Sequence, residues 1–250
     1  MKIIKNKEFT GDGLYLHEDT HIINCKFHHI EGFNHHGMEL HGDGKQIEYL
    51  IEDCVIDNLG INPEDYDEGV ALVNAPIVTF SRCRFAHLGK ACLVGNGDHN
   101  ENDKKLRVTF NECIFENCGR RSPFIQFGEA VLNDCLIMNW GDPDYFYLKS
   151  HGLRVGSAAK CEVNRTIFIQ QHFWPGFKNF FTDIVNQYDP ILIPGNCRAA
   201  YAEKGGELIL NNCLFDGKFI WTRGEINNTE NINDWGERIV ELQNEVPALN

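Results

Sequence analysis

One short pattern recurs along the chain and limits what it can fold into: an apolar residue, two mostly polar residues, Cys, any residue, then an apolar residue. It reads IINCKF at 22–27, IEDCVI at 51–56, FSRCRF at 80–85, FNECIF at 110–115, LNDCLI at 132–137 and LNNCLF at 210–215. VNRTIF at 163–168 fits with Thr166 in the Cys place. The central positions are Cys25, Cys54, Cys83, Cys113, Cys135, Thr166 and Cys213, separated by 29, 29, 30, 22, 31 and 47 residues. Such periods mark a repeat architecture. The segments carry Phe, Ile, Val and Thr and are flanked by Asn, Asp and Gly, which is strand and turn chemistry. A helical repeat would need longer stretches of 3.6-residue period. A gap near 30 residues accommodates three short strands and three turns, and coils stacked about 4.8 Å apart pair each strand with those above and below. The expected fold is all-β, a right-handed parallel β-helix of about seven coils in one domain spanning 1–250.

In this reading the cysteines form an interior ladder of small buried side chains, which is their ordinary role. The chain has ten cysteines but no CxxC and no Cys/His pairing at zinc spacing. Cys92, Cys118, Cys161 and Cys197 fall outside the pattern and are assigned no chemistry. The gap of 47 contains an aromatic-rich insertion over 170–204, expected to fold over one side of the stack as a binding surface or as cover for an edge. The tail over 226–250 is polar, with Trp235, Ile239, Val240 and Leu242 near helical spacing, and is expected to cap an end of the stack.

The net charge of -13 argues against wholesale nucleic-acid binding, which needs clustered Lys and Arg. No run of about 18 apolar residues is present, so no membrane span is expected. The first twenty residues carry lysines without the apolar stretch of a secretory signal. The expectation is a cytoplasmic or virion-associated chain, secreted only if a signal was removed or export takes another route.

The stretch 78–140 carries linked motifs in fixed order: VTFSRCRF, HLGKACLVG, a loop with Asp103 and Lys104, RVTFNECIF, RRSPFIQFG and VLNDCLIMNW. It resembles the core of the polysaccharide-lyase family that contains the pectate lyases, whose fold is a single-stranded, pectin-lyase-like solenoid. The resemblance implies that Lys90 holds a substrate carboxylate and that Arg121 abstracts the sugar C5 proton. The family's second arginine, five residues on, is Gln126 here. The resemblance also implies Ca2+ held by an acidic pair. DYDEGVAL at 65–72 offers Asp67 and Glu68, but Val70 stands near the second acid position.

Stacking brings His36, Asp67/Glu68, Lys90 and Arg121 into one outer column, with Arg120 and Gln126 alongside. Cations beside an acidic pair suit a carboxylated sugar, through the carboxylate directly or a metal bridge. The chemistry would be β-elimination, in which cations on the carboxylate stabilise the enolate-like charge that develops as the proton leaves. Arginine is an unusual base; an alternative has Arg121 only stabilising charge while His36 takes the proton. The histidines at 28, 29, 35 and 36 read as exposed turn residues or a loose metal cluster. Two functions follow: a polysaccharide lyase acting on an acidic, uronate-containing polysaccharide, or a silent β-helix that binds glycan or builds a virus particle or tail. Oligomeric state is left open.

Overall fold

The computed structural model describes residues 1–30, 36–57, 68–97, 100–140, 151–170, 198–217, 221–223, 225–227 and 241–248. Its strands wind into three parallel faces around one core. The first face stacks β1 (Lys2–Lys5), β4 (Thr20–Ile23), β7 (Glu48–Glu52), β10 (Ile77–Ser81) and β13 (Arg107–Asn111). It continues through the C-terminal halves of β15 (Phe124–Asn133) and β17 (His151–Asn164) to β20 (Glu207–Asn211) and β23 (Glu225–Asn227). The second face is an eight-stranded sheet: β2 (Glu8–Gly11), β5 (Lys26–Ile30), β8 (Val55–Asp57), β11 (Arg84–Ala86), β14 (Ile114–Glu116), β16 (Leu136–Met138), β18 (Ile167–Gln170) and β21 (Leu214–Gly217). The third face comprises β3 (Leu14–Leu16), β6 (Met38–His41), β9 (Val70–Val73), β12 (Cys92–Val94), the N-terminal halves of β15 and β17, β19 (Arg198–Ala202) and β22 (Trp221–Arg223). Every pairing between these strands is parallel, as the repeat requires.

The repeated Cys marks the corner between the first and second faces. The residue before it is left-handed in every repeat: Asn24, Asp53, Arg82, Glu112, Asp134, Arg165 and Asn212 all have φ between 47° and 54°. That one residue turns the chain, and the following side chain locks the turn. Each Sγ donates to the carbonyl two residues back, at 3.2 Å in Cys54 and 3.4 Å in Cys83, and Thr166 Oγ1 does the same at 3.3 Å. The corner also links coils, because Cys25 N–H donates to Cys54 Sγ and Cys135 N–H to Thr166 Oγ1, each at 3.4 Å. A small side chain with a weak donor and acceptor fits there, and Thr is the polar equivalent. Just before the corner, Asn111, Asn133, Asn164 and Asn211 form a ladder of side-chain hydrogen bonds at 2.9–3.0 Å.

Inside, aromatic rings repeat with the coils. Phe80 stacks on Phe110 at 5.0 Å and Phe85 on Phe115 at 4.5 Å, with edge contacts between the two stacks. The short gap of 22 residues has a structural cause. Twelve residues, 95–106, separate β12 from β13 and include the short helix α1 (Asn100–Asp103). In the next coil β15 runs straight from the third face onto the first. Within the span read from sequence as an insertion, Arg198–Ala202 is a strand paired with β17, and 171–197 lie outside the described residues. Likewise Glu225–Asn227 is a strand on β20 rather than part of a tail. Residues 241–248 lie over the outer surface of the second face, where Leu242 and Val246 pack with Ile114, Leu136 and Ile167. Arg84 Nε donates to the Pro247 carbonyl at 2.7 Å. No helix among the described residues is long and apolar enough to cross a membrane.

Two expectations follow. Phe110→Ala removes a fully buried ring from both stacks and should cost about 3–5 kcal/mol in urea unfolding. The nine described cysteines are reduced and buried, and burial pushes the thiols of Cys118 and Cys213 up to about 12 and about 11. Titration with a thiol reagent should therefore detect at most one fast thiol, Cys197, in the native protein and all ten after denaturation.

Candidate functional site

The third face carries the candidate site at its leading edge, just before the strands begin. Gly37 N–H donates to the Glu68 carbonyl, Gly69 N–H to that of Lys90, and Ala91 N–H to that of Arg120. Met38 pairs with Val70, and Lys90 forms a parallel bridge with Arg120. His36, Glu68, Lys90 and Arg120 therefore occupy equivalent places on four successive coils. The residue level with Lys90 is Arg120, where the sequence reading placed Arg121. Arg121 follows with φ 60°. The pairing then slips by one residue, because Cys92 N–H bonds the Arg121 carbonyl whereas Leu93 pairs with Phe124. The extra residue in this coil is what displaces Arg121 from the column.

From that position Arg121 passes the Lys90 level and its Nη1 contacts Glu68 Oε1. Glu68 is 3% exposed. Its second oxygen lies 3.4 Å from His36 Nδ1, and that nitrogen also accepts the Glu68 backbone N–H at 3.2 Å. His36 Nε2 faces Glu39 Oε2 at 3.4 Å, and Glu39 Oε1 contacts His41 Nε2. The result is a continuous chain of alternating partners, Arg121–Glu68–His36–Glu39–His41, down the face. A buried carboxylate is tolerable only with such partners, because losing its hydration costs several kcal/mol. Both ring nitrogens of His36 are engaged, which leaves it unsuited to the proton-abstracting role considered from sequence.

Beside this charged column lies an apolar strip. Ala71, Leu93 and Phe124 pair in register and are buried, yet they lie outside the main core cluster, on the outer side of the sheet. Arg154 stands level with Phe124 on the next coil, its guanidinium 4.3 Å from the ring centroid and bonded to Glu203. Tyr201 is level with Arg154. Gln126 lies two residues past Phe124 on β15, partly exposed. Sequence reasoning missed Glu39, Phe124, Arg154 and Glu203; the outward parity of Glu39 in the alternating MELH was the available signal. Asp103, a loop acid in the sequence, is fully buried and structural, accepting the Asn74 and Gly97 N–H groups at 2.7 and 3.2 Å.

Asp67 and His35 lie outside the described residues. His28 and His29 lie within β5 rather than in a turn; His28 contacts Glu8, and His29 has φ 49° where the pairing with β2 shifts register. The described residues do not suit calcium. That ion takes about six to eight oxygen ligands, whereas the described carboxylates here are Glu68, whose oxygens already face a guanidinium and an imidazole, and Glu39, which faces two imidazoles. Val70 and Leu72 turn into the core.

The sequence model of the family described as "Right handed beta helix region" matches residues 2–168. Pectate lyase E of Dickeya chrysanthemi is 32% identical over 90 residues, 35% of this chain and 22% of that protein. Pectate lyase D of the same organism is 33% identical over 90 residues, 35% of this chain and 23% of that protein. The chain thus spans less than a quarter of the length of these relatives. Among solved structures, a pectate lyase bound to a hexasaccharide superposes with TM-score 0.67 at 14% identity, covering 100% of this chain and 70% of that one. A pectate lyase from Xanthomonas campestris gives TM-score 0.59 at 16% identity, covering 93% and 66%. At such identities the structural likeness speaks for the fold.

The Glu68–Arg121 pair is asymmetric, because Glu68 is buried and Arg121 is about a quarter exposed. Arg121→Ala strands the carboxylate and should cost about 3 kcal/mol, whereas Glu68→Gln should cost less. The double variant should recover most of the Arg121→Ala loss in urea unfolding, and strict additivity would contradict the pairing.

Proposed function

The chain belongs to the right-handed β-helix family, among relatives that are pectate lyases, and on that premise we propose that it is a polysaccharide lyase-like protein acting on a uronate-containing glycan by β-elimination. One observation carries the proposal: Lys90 and Arg120 stand level on neighbouring coils, with Arg121 next in the chain, just before the in-register pair Leu93 and Phe124. In this reading Lys90 and Arg120 hold the uronate carboxylate and stabilise the charge that develops on it as the C5 proton leaves. Gln126, partly exposed on β15, is available to a sugar hydroxyl group. Arg121 is the group that the family resemblance assigns to the proton. A guanidinium paired with Glu68 keeps its protons, so Arg121 serves first as a charge stabiliser and can accept the C5 proton only as neutral guanidine, after leaving Glu68 and losing a proton to water. Collapse of the charge expels the C4 oxygen and leaves an unsaturated uronate. No step is routed through calcium.

A second reading, a glycan-binding β-helix without catalysis, is favoured by the same Glu68–Arg121 contact and by Gln126 in the place of a second arginine. Ultraviolet absorbance of unsaturated product from oligogalacturonate, recorded with and without calcium and beside direct binding measurements, separates the two. The lyase reading expects product, and a fall in kcat/KM of at least about a hundredfold in Lys90→Ala. Binding without product under any condition, unchanged in Arg121→Ala, would leave only the second reading.

A further inference from the structure

The first coils of the third face hold a cluster that the glycan reading leaves unused. Leu16 pairs with Leu40, so His17 and His41 follow at equivalent places on neighbouring coils. Their rings stack with centroids 4.5 Å apart. His17 Nδ1 lies 3.1 and 3.2 Å from the two carboxylate oxygens of Asp43, in the turn after β6. One donor atom from each of His17, His41 and Asp43 lies within 4.8 Å of the other two.

Two further features point beyond a chance gathering of polar side chains. Glu39 Oε1 contacts His41 Nε2, which fixes that ring and leaves Nδ1 as its second donor. A carboxylate on the outer nitrogen is the usual arrangement behind a metal-binding histidine. The backbone carrying the two rings is also pinned from inside the coil. The fully buried Tyr49 places its hydroxyl 2.8 Å from the Leu16 carbonyl oxygen and 2.7 Å from that of His41. The two coils are therefore tied together at the level of the histidines.

We propose that His17, His41 and Asp43 form a binding site for a divalent transition metal of the zinc class, with one coordination position left for water or a ligand group. Two imidazoles and one carboxylate suit such an ion and do not suit calcium, which takes oxygen donors. The spacing also fits. Bonds of about 2.0–2.1 Å in a tetrahedron place donor atoms about 3.4 Å apart. His17 and Asp43 are already at that separation, and His41 needs a shift on the order of 1 Å to join them. His17 and Asp43 are about half exposed, so an ion has a path in from solvent. The site shares Glu39 with the chain that leads to Arg121, but the proposal does not depend on the glycan reading.

Isothermal titration of the chelator-treated full chain with zinc chloride tests it. One equivalent should bind with micromolar or tighter affinity, and a large excess of calcium should not compete. His17→Ala and Asp43→Asn should each weaken binding at least tenfold, and Glu39→Ala by about ten- to a hundredfold. Zinc should raise Tm in the wild type and not in these variants. His17 and Asp43 are exposed enough for their substitutions to preserve the fold, checked by circular dichroism, so the test does not depend on a His41 variant. Absence of stoichiometric zinc binding would overturn the proposal. So would affinity unchanged in His17→Ala and Asp43→Asn, or binding lost instead in His28→Ala.

Discussion

The structure depends on one corner, repeated. A single left-handed residue followed by a small side chain that bonds back to the carbonyl two residues earlier turns the chain from the first face to the second. Because the same corner recurs at Cys25, Cys54, Cys83, Cys113, Cys135, Thr166 and Cys213, every coil enters the second face at the same phase. The phenylalanines then fall into stacks and the asparagines into a ladder. A non-glycine residue at positive φ carries a conformational cost, and the coil-to-coil hydrogen bonds offset it. The cross-coil bonds at Cys25 and Cys135 show why the corner residue is a weak polar group rather than a purely apolar one.

Much of this was legible. The spacing of the cysteines gave the coil, and the alternation around them gave the strands. What spacing could not give is where a coil changes its route. The gap of 22 residues reads as a deletion, and nothing local in FIQFGEAVLN states that it crosses two faces as one strand. The strand within the span read as an insertion was hidden for a related reason. RAAYA carries no Cys corner of its own, so its place in the third face follows only from pairing with β17 and β22. The left-handed position was visible as Asn or Asp in Asn24, Asp53, Asp134 and Asn212, but Arg82, Glu112 and Arg165 hid it.

At the candidate site the sequence brought the right coils together and missed the register by one residue. Counting from the strand pattern placed Arg121 level with Lys90, whereas the turn before Phe124 holds an extra residue and Arg120 takes that level. The pairing of Arg121 with Glu68 was not legible at all, because it skips a coil. A linear reading treats side chains as neighbours only when their backbones are, but a guanidinium is long enough to pass one strand and meet a carboxylate beyond it.

That contact shapes what the face can do. The chain carries a net charge of -13, and two of the cations near the apolar strip already have carboxylate partners, Arg121 in Glu68 and Arg154 in Glu203. On the proposed lyase reading, a uronate arriving there competes with the protein's own carboxylates. Displacing Glu68 exchanges one guanidinium–carboxylate contact for another, so the attraction is nearly conserved. The residual cost is a buried Glu68 carboxylate left beside the His36 ring without its guanidinium, which disfavours the exchange. A glycan with closely spaced carboxylates offsets that cost best, because one carboxylate can sit at Lys90 and Arg120 while the next engages Arg121. The same exchange would release Arg121 from Glu68 only when the glycan is seated, coupling any chemistry on this face to occupancy of the neighbouring subsite.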